Sequence, residues 1–185
     1  MMRVEDTEIP DVKNIWLSPH KDRRGLFVEA FETKAFEELG VNSRFVQDAV
    51  SINYKRGTFR GLHYQAAPHA QNTLVRVTKG RIFDVALDLR RSASTFAKHV
   101  STVLTDEDWR WLFIPAGFAH GFCTLEDGCE ITYKLADHYA PDHAGGVRLD
   151  DADLGISWPI DPEEGILSEK DRNLPLLKDV QDVFA

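Results

Sequence analysis

The sequence predicts an all-β fold, a sandwich or barrel of the jelly-roll kind. Three observations lead there. Residues 81–90, RIFDVALDLR, place Phe83, Val85, Leu87 and Leu89 on one face and Ile82, Asp84, Ala86 and Asp88 on the other, the period of two that belongs to a strand. Similar short segments recur at 26–32, 44–47, 59–65, 74–77, 99–104, 111–114, 118–125 and 129–135, separated by turn residues. Helical signals are few, and many short strands at close spacing are the signature of such architectures.

Taken along the chain, the first helical signal is Thr33 to Leu39, with Thr33 as N-cap and Gly40 as the stop. Thr78-Lys79-Gly80 links the LVRV run at 74–77 to the strand at 81–90, so the two read as a hairpin. Thr105 to Trp109 could form one helical turn. Pro115 and Gly117 mark a turn before the strand at 118–125. From about residue 141 the chain is richer in Asp and Pro, which predicts loops and a short helix against the barrel. No linker or repeat divides the chain, so residues 1–185 read as one domain.

Composition narrows the function. Apolar residues make up 43% of the 185, enough for a sizeable core, and the net charge is −8. A general nucleic-acid binder needs a basic face to displace counterions, so the charge argues against that class. A nucleotide ligand is not, because a few local arginines can hold a diphosphate. Two cysteines, Cys123 and Cys129, do not make a disulfide framework and point to a reducing cytosol. No apolar run reaches the roughly 18 residues of a membrane span. The N-terminal MMRVEDTEIP lacks a signal-peptide core. The expectation is a cytoplasmic protein.

Several residues could carry chemistry. In RGLHYQ (60–65), strict alternation puts Arg60 and His63 on opposite faces. Both reach one site only if the strand breaks register, and Gly61 between them is a plausible bulge. Otherwise His63 is a satisfied structural histidine and Arg60 a solvated cation. In IPAGFAHGF (114–122), Phe118, His120 and Phe122 share a face, where His120 could bind a ligand or simply be buried. Tyr133 shares a face with Cys129 and Ile131; a strand tyrosine serves a core or a catalyst. In LSEKD (167–171), Ser168 and Asp171 have capping-box spacing, and Asp171 could equally orient a histidine. The histidines lack the close pairing on one strand that a metal site of this fold needs, and no phosphate loop or nucleophile elbow is present.

Taken together, DRRGLFVEAF (22–31), FVQD (45–48), RGLHYQ (60–65), LVRVTKGRIFDVALDLR (74–90), IPAGFAHGF (114–122), YKLADHYAP (133–141), LGISWP (154–159) and LSEKD (167–171) resemble the dTDP-4-dehydrorhamnose 3,5-epimerase family of cupin-like jelly rolls. The resemblance implies a nucleotide-linked 4-keto-6-deoxy sugar whose C3 and C5 protons are acidic beside the C4 ketone. A base removes one, an enolate forms, and an acid returns a proton to the opposite face. No redox or metal cofactor is implied. His63 would be the base, with Asp171 as its orienting partner, since an imidazole suits proton abstraction near neutral pH. Tyr133 would be the acid, a phenol of ordinary pKa about 10. Arg60 and His120 would contact the sugar or diphosphate, and Asp84 would support the histidines. Gln47 would bond the nucleotide base and Tyr139 stack on it. Arg24, Phe27 and Glu29 belong to a segment that reaches the partner subunit's site, which implies a homodimer.

The sequence also departs from the family pattern. Thr73 stands where the family usually has a lysine near the C4 oxygen, and loss of a charged donor to an enolate costs on the order of 2–4 kcal/mol. Lys134, Lys170 or Arg60 would then supply the cation. Ala49-Val50 replaces a polar pair, and RLDD (148–151) replaces a tryptophan-containing stretch. Alternatives therefore stand beside the two-centre epimerase. They are an epimerase acting at one carbon or on another nucleotide sugar, a cupin that binds sugar without turnover, and a metal-dependent cupin oxygenase.

Overall fold

The structure, a computed structural model, describes residues 2–181 and 184. Its strands are β1 (Arg3–Asp6), β2 (Lys13–Trp16), β3 (His20–Asp22), β4 (Gly25–Phe27), β5 (Gln47–Asn53), β6 (Phe59–Gln65), β7 (Thr73–Lys79), β8 (Arg81–Asp88), β9 (His99–Thr105), β10 (Arg110–Ile114), β11 (Phe118–Thr124), β12 (Cys129–Leu135) and β13 (Ala144–Gly146). Two short helices, α1 (Thr33–Glu38) and α2 (Glu169–Arg172), accompany them.

A six-stranded sheet in the order β1-β2-β10-β7-β12-β5 faces a five-stranded sheet in the order β13-β6-β11-β8-β9. Every pairing in both is antiparallel. The hairpin β3–β4 stands apart from both sheets. This is the expected jelly-roll sandwich.

Period-two alternation assigns each strand's faces. Val75, Val77, Leu112, Ile114 and Ile131 from one sheet meet Ile82, Ala86, Val100, Leu104, Phe118 and Phe122 from the other. The predicted faces of β8 hold: Phe83, Val85, Leu87 and Leu89 turn away from this layer. They join Phe59, Leu62 and Ala119 beneath Val147, Leu149, Leu154 and Trp158 of the C-terminal segment. That segment is loops, short turns and α2, as predicted, but it also adds the unexpected short strand β13 beside β6. A third cluster, Ile15, Leu74, Trp111 and Phe113 under Phe36 and Val41, covers the outer face of the six-stranded sheet.

Five local expectations are corrected. Strands β7 and β8 do not form a hairpin. Both edges of β7 are taken by β10 and β12, so the chain crosses to the opposite sheet at Gly80, whose φ is +80°. Helix α1 is capped by Glu32, not Thr33: its carboxylate accepts from the amides of Lys34 at 3.0 Å and Ala35 at 2.6 Å. Thr105 ends β9 and residues 106–109 turn rather than form a helix, because the Asp108 carboxylate takes the Thr105 amide at 3.1 Å and Trp109 has φ +50°. The segment 26–32 leaves strand geometry after Phe27, and the strand expected at 44–47 begins only at Gln47.

Candidate active site

The pocket lies between the two sheets at one end of the sandwich, a cavity of about 340 Å³, within the range of small-molecule sites. Strand termini line it: Thr73 opens β7, Leu135 closes β12, and Ile114 closes β10.

Strand β6 carries the first two functional side chains. His63 pairs with His120 on β11, and Arg60 pairs with Phe122. Two steps on β11 therefore match three on β6, which is a β-bulge, and the extra residue is Gly61. Its φ is +110°. A Cβ there would lie 2.5 Å from the His120 carbonyl oxygen and 2.7 Å from the Gly121 Cα. The bulge turns Phe59 and Leu62 together toward the C-terminal segment, and Arg60 and His63 together into the pocket.

His63 Nε2 lies 2.6 Å from Asp171 Oδ1. Asp171 sits in α2, and Ser168 caps that helix by accepting the Asp171 amide at 3.0 Å. The capping and carboxylate–histidine readings thus hold together. Burial pushes the Asp171 carboxyl up, but hydrogen bonds from His63, Ser168 and the Gly61 amide outweigh it and hold the group below the usual carboxylate range. The amide freed by the bulge is the one that helps keep Asp171 ionised.

Tyr133 lies on β12, on the inner face with Cys129 and Ile131 as expected. Its ring centroid is 6.3 Å from that of His120. Burial raises its pKa and the negative charge of Asp84 raises it further, while Arg60 and a hydrogen bond with Ser51 oppose the rise. Asp84 is completely buried on β8. Its Oδ2 lies 2.8 Å from His120 Nε2, while Oδ1 has no hydrogen-bond partner among the described residues.

The remaining expected residues divide. Thr73, Lys170 and Tyr139 line the cavity. Gln47 does not, but its Oε1 accepts the Tyr139 amide at 3.2 Å. Lys134 points out of the opposite face, where it meets Asp48 at 3.0 Å and the Phe31 ring, so it cannot replace the missing lysine. Arg24, Phe27 and Glu29 do not line this pocket. Arg24 pairs with Asp22 at 2.6 Å, and Phe27, on the free-standing hairpin, is 66% exposed. Sequence reasoning missed Ser51 and Asn53 on β5. Their signal was the inverted alternation of QDAVSIN, with Gln47, Ser51 and Asn53 facing inward and Val50 and Ile52 outward.

No three His, Cys, Asp or Glu side chains among the described residues converge as a metal-binding group. No described helix is long and apolar enough to cross a membrane. The site instead gathers a carboxylate-held imidazole, a partly buried phenol and two cations around one pocket. With a jelly-roll scaffold, that defines a class of acid–base site able to move protons on a bound anionic ligand.

The comparisons narrow the class. The family model for dTDP-4-dehydrorhamnose 3,5-epimerase matches residues 6–179. A Shigella flexneri protein of that name is 46% identical over 93% of this chain and 94% of its own. The crystal structure of the Bacillus anthracis enzyme, with TDP and PPi bound, superposes with a TM-score of 0.92 at 43% identity, covering 95% of this chain and 99% of that one. The Legionella pneumophila enzyme, in complex with dTDP-4-keto-L-rhamnose, gives 0.92 at 40% identity over 98% and 95%. The chain belongs to the dTDP-4-dehydrorhamnose 3,5-epimerase family.

Proposed function

We propose that this protein converts dTDP-4-dehydro-6-deoxy-D-glucose to dTDP-4-dehydro-L-rhamnose by removing and returning protons at C3 and C5. The observation that carries the reading is the His63–Asp171 pair at 2.6 Å, which shares one pocket with Tyr133. His63 takes the proton, and Asp171 holds the imidazole and balances its charge once protonated. The C–H electron pair moves into the enolate toward the C4 oxygen. Tyr133 then gives its proton to the opposite face; its raised pKa keeps the phenol protonated until that step. A binding module has no use for both groups.

Lys170 and Arg60 are the lysine and arginine that line the cavity. Arg60 is engaged by Asn53 through Nε at 2.8 Å, so Lys170 is assigned the enolate role that Thr73 cannot fill with a charge. A second reading, epimerisation at one carbon only, is favoured by Thr73 alone. Arg60 and His120 hold the sugar or diphosphate, and Gln47 with Tyr139 takes the nucleotide base at the mouth.

The working form is a homodimer in the cytosol. The hairpin β3–β4 carries Arg24 and Phe27 away from their own pocket and, with Glu29 following, reaches the partner's. Exposed Val50 and Ile52 on edge strand β5 provide an apolar face for the contact.

The roles are tested by substitution. His63→Ala abolishes exchange of the sugar protons with solvent, and retained exchange would remove the base assignment. Tyr133→Phe slows inversion far more than exchange, and equal loss of both would remove the acid assignment.

A further inference from the structure

Behind Tyr133 lie two polar side chains, Ser51 and Asn53, for which the reaction so far has no use. Tyr133 pairs with Ala49 across the β12–β5 ladder, so Ser51 is its diagonal neighbour. Asn53, two residues further on the same inward face, is only 2% exposed. Arg60 Nε donates to Asn53 Oδ1 at 2.8 Å. Arginine can only donate, so this contact fixes which end of the amide is oxygen. Asn53 Nδ2 then donates to Ser51 Oγ at 3.1 Å. The reverse contact, Ser51 Oγ to Asn53 Oδ1, is longer at 3.4 Å and meets an oxygen already engaged. With its oxygen taken by Asn53, the Ser51 hydroxyl has its proton left for Tyr133, its diagonal neighbour across the ladder.

We propose that Ser51, oriented by Asn53 and Arg60, is a positioning residue whose hydroxyl donates to the Tyr133 oxygen once that oxygen has lost its proton. The inference rests on Tyr133 being the acid. In that step the enolate electron pair forms a C–H bond with the Tyr133 proton and the O–H bond breaks. A phenolate remains until solvent returns a proton. Burial and the Asp84 carboxylate from β8 both work against that phenolate. His120 from β11 presents its ring at 6.3 Å, and His63 and Lys170 line the same cavity. The donor chain Arg60–Asn53–Ser51 brings a guanidinium's polarity to the phenolate through two neutral links, by way of the buried Asn53, where such dipoles act strongly.

The test is the ratio of inversion to solvent exchange, measured by NMR in heavy water on the full chain for wild type, Ser51→Ala, Ser51→Thr and Tyr133→Phe. Ser51→Ala is expected to lower the ratio on the order of 10²-fold while exchange persists, and Ser51→Thr to restore it to within a few-fold. Should Ser51→Ala not fold, Ser51→Cys, which keeps shape but donates weakly, gives the same readout. A normal ratio in Ser51→Ala beside a depressed one in Tyr133→Phe overturns the role of Ser51 alone. Equal loss of exchange and inversion in Ser51→Ala overturns it in favour of a structural role. A normal ratio in Tyr133→Phe overturns the acid assignment, and the Ser51 proposal with it.

Discussion

Arg60 and His63 stand three positions apart on β6, yet both face the pocket, because Gly61 between them forms a bulge at φ +110°. Gly61→Ala tests that geometry. The added Cβ meets two backbone neighbours, the His120 oxygen at 2.5 Å and the Gly121 Cα at 2.7 Å, and no flexible side chain can yield. The expected cost is about 1–3 kcal/mol of stability, read from urea unfolding. The rate should fall further than the unfolded fraction accounts for, since the bulge aims both groups and its amide supports Asp171.

Asp171 gives a pH prediction. Its carboxyl is held below the ordinary value of 3.8. Its stabilisation is therefore present above about pH 4 and is lost as pH falls through the lowered folded-state value. The gap in urea midpoint between wild type and Asp171→Asn should be widest above pH 5 and close toward pH 2. The same variant should lower kcat by about 10²- to 10⁴-fold. A gap that grows on acidification would reverse the assignment.

Lys170 and Thr73 make a paired prediction. If Lys170 supplies the charge opposite the enolate, Lys170→Met lowers kcat on the order of 10²-fold. Adding Thr73→Lys to that variant restores part of the loss. A full rate in Lys170→Met would show that another group serves the enolate.

Phe27 and His63 are predicted to act across subunits. Alone, Phe27→Ala should raise KM with little effect on unfolding, since the ring is 66% exposed. Mixing Phe27→Ala with His63→Ala subunits should regenerate about a quarter of the wild-type sites, because half the dimers are mixed and each holds one intact site. No gain above the sum of the separate variants would place Phe27 in its own subunit's business.

Much of this was legible in the residues. Alternation in β8, β11 and β12 gave the faces of Asp84, His120 and Tyr133, and Gly61 flagged the bulge. What stayed hidden was long-range. Periodicity cannot say which strand lies beside β7, because β10 and β12 approach from distant parts of the chain. Nor could it bring Asp171 to His63, 108 positions away. Only the family resemblance joined them. Strand β5 was missed because its pattern is inverted: polar Ser51 and Asn53 face the site, and apolar Val50 and Ile52 face outward. A search for core-forming apolar alternation passes over a strand built to serve a pocket.

The most direct measurement is proton NMR of dTDP-4-dehydro-6-deoxy-D-glucose incubated with the wild-type protein in heavy water. A coupled reductase draws off the L-configured product. Deuterium entering at both C3 and C5 is the predicted result, with Lys170 serving where Thr73 cannot. Deuterium at a single carbon would contradict the two-centre reaction, and no exchange at either would contradict the assignment of this substrate altogether.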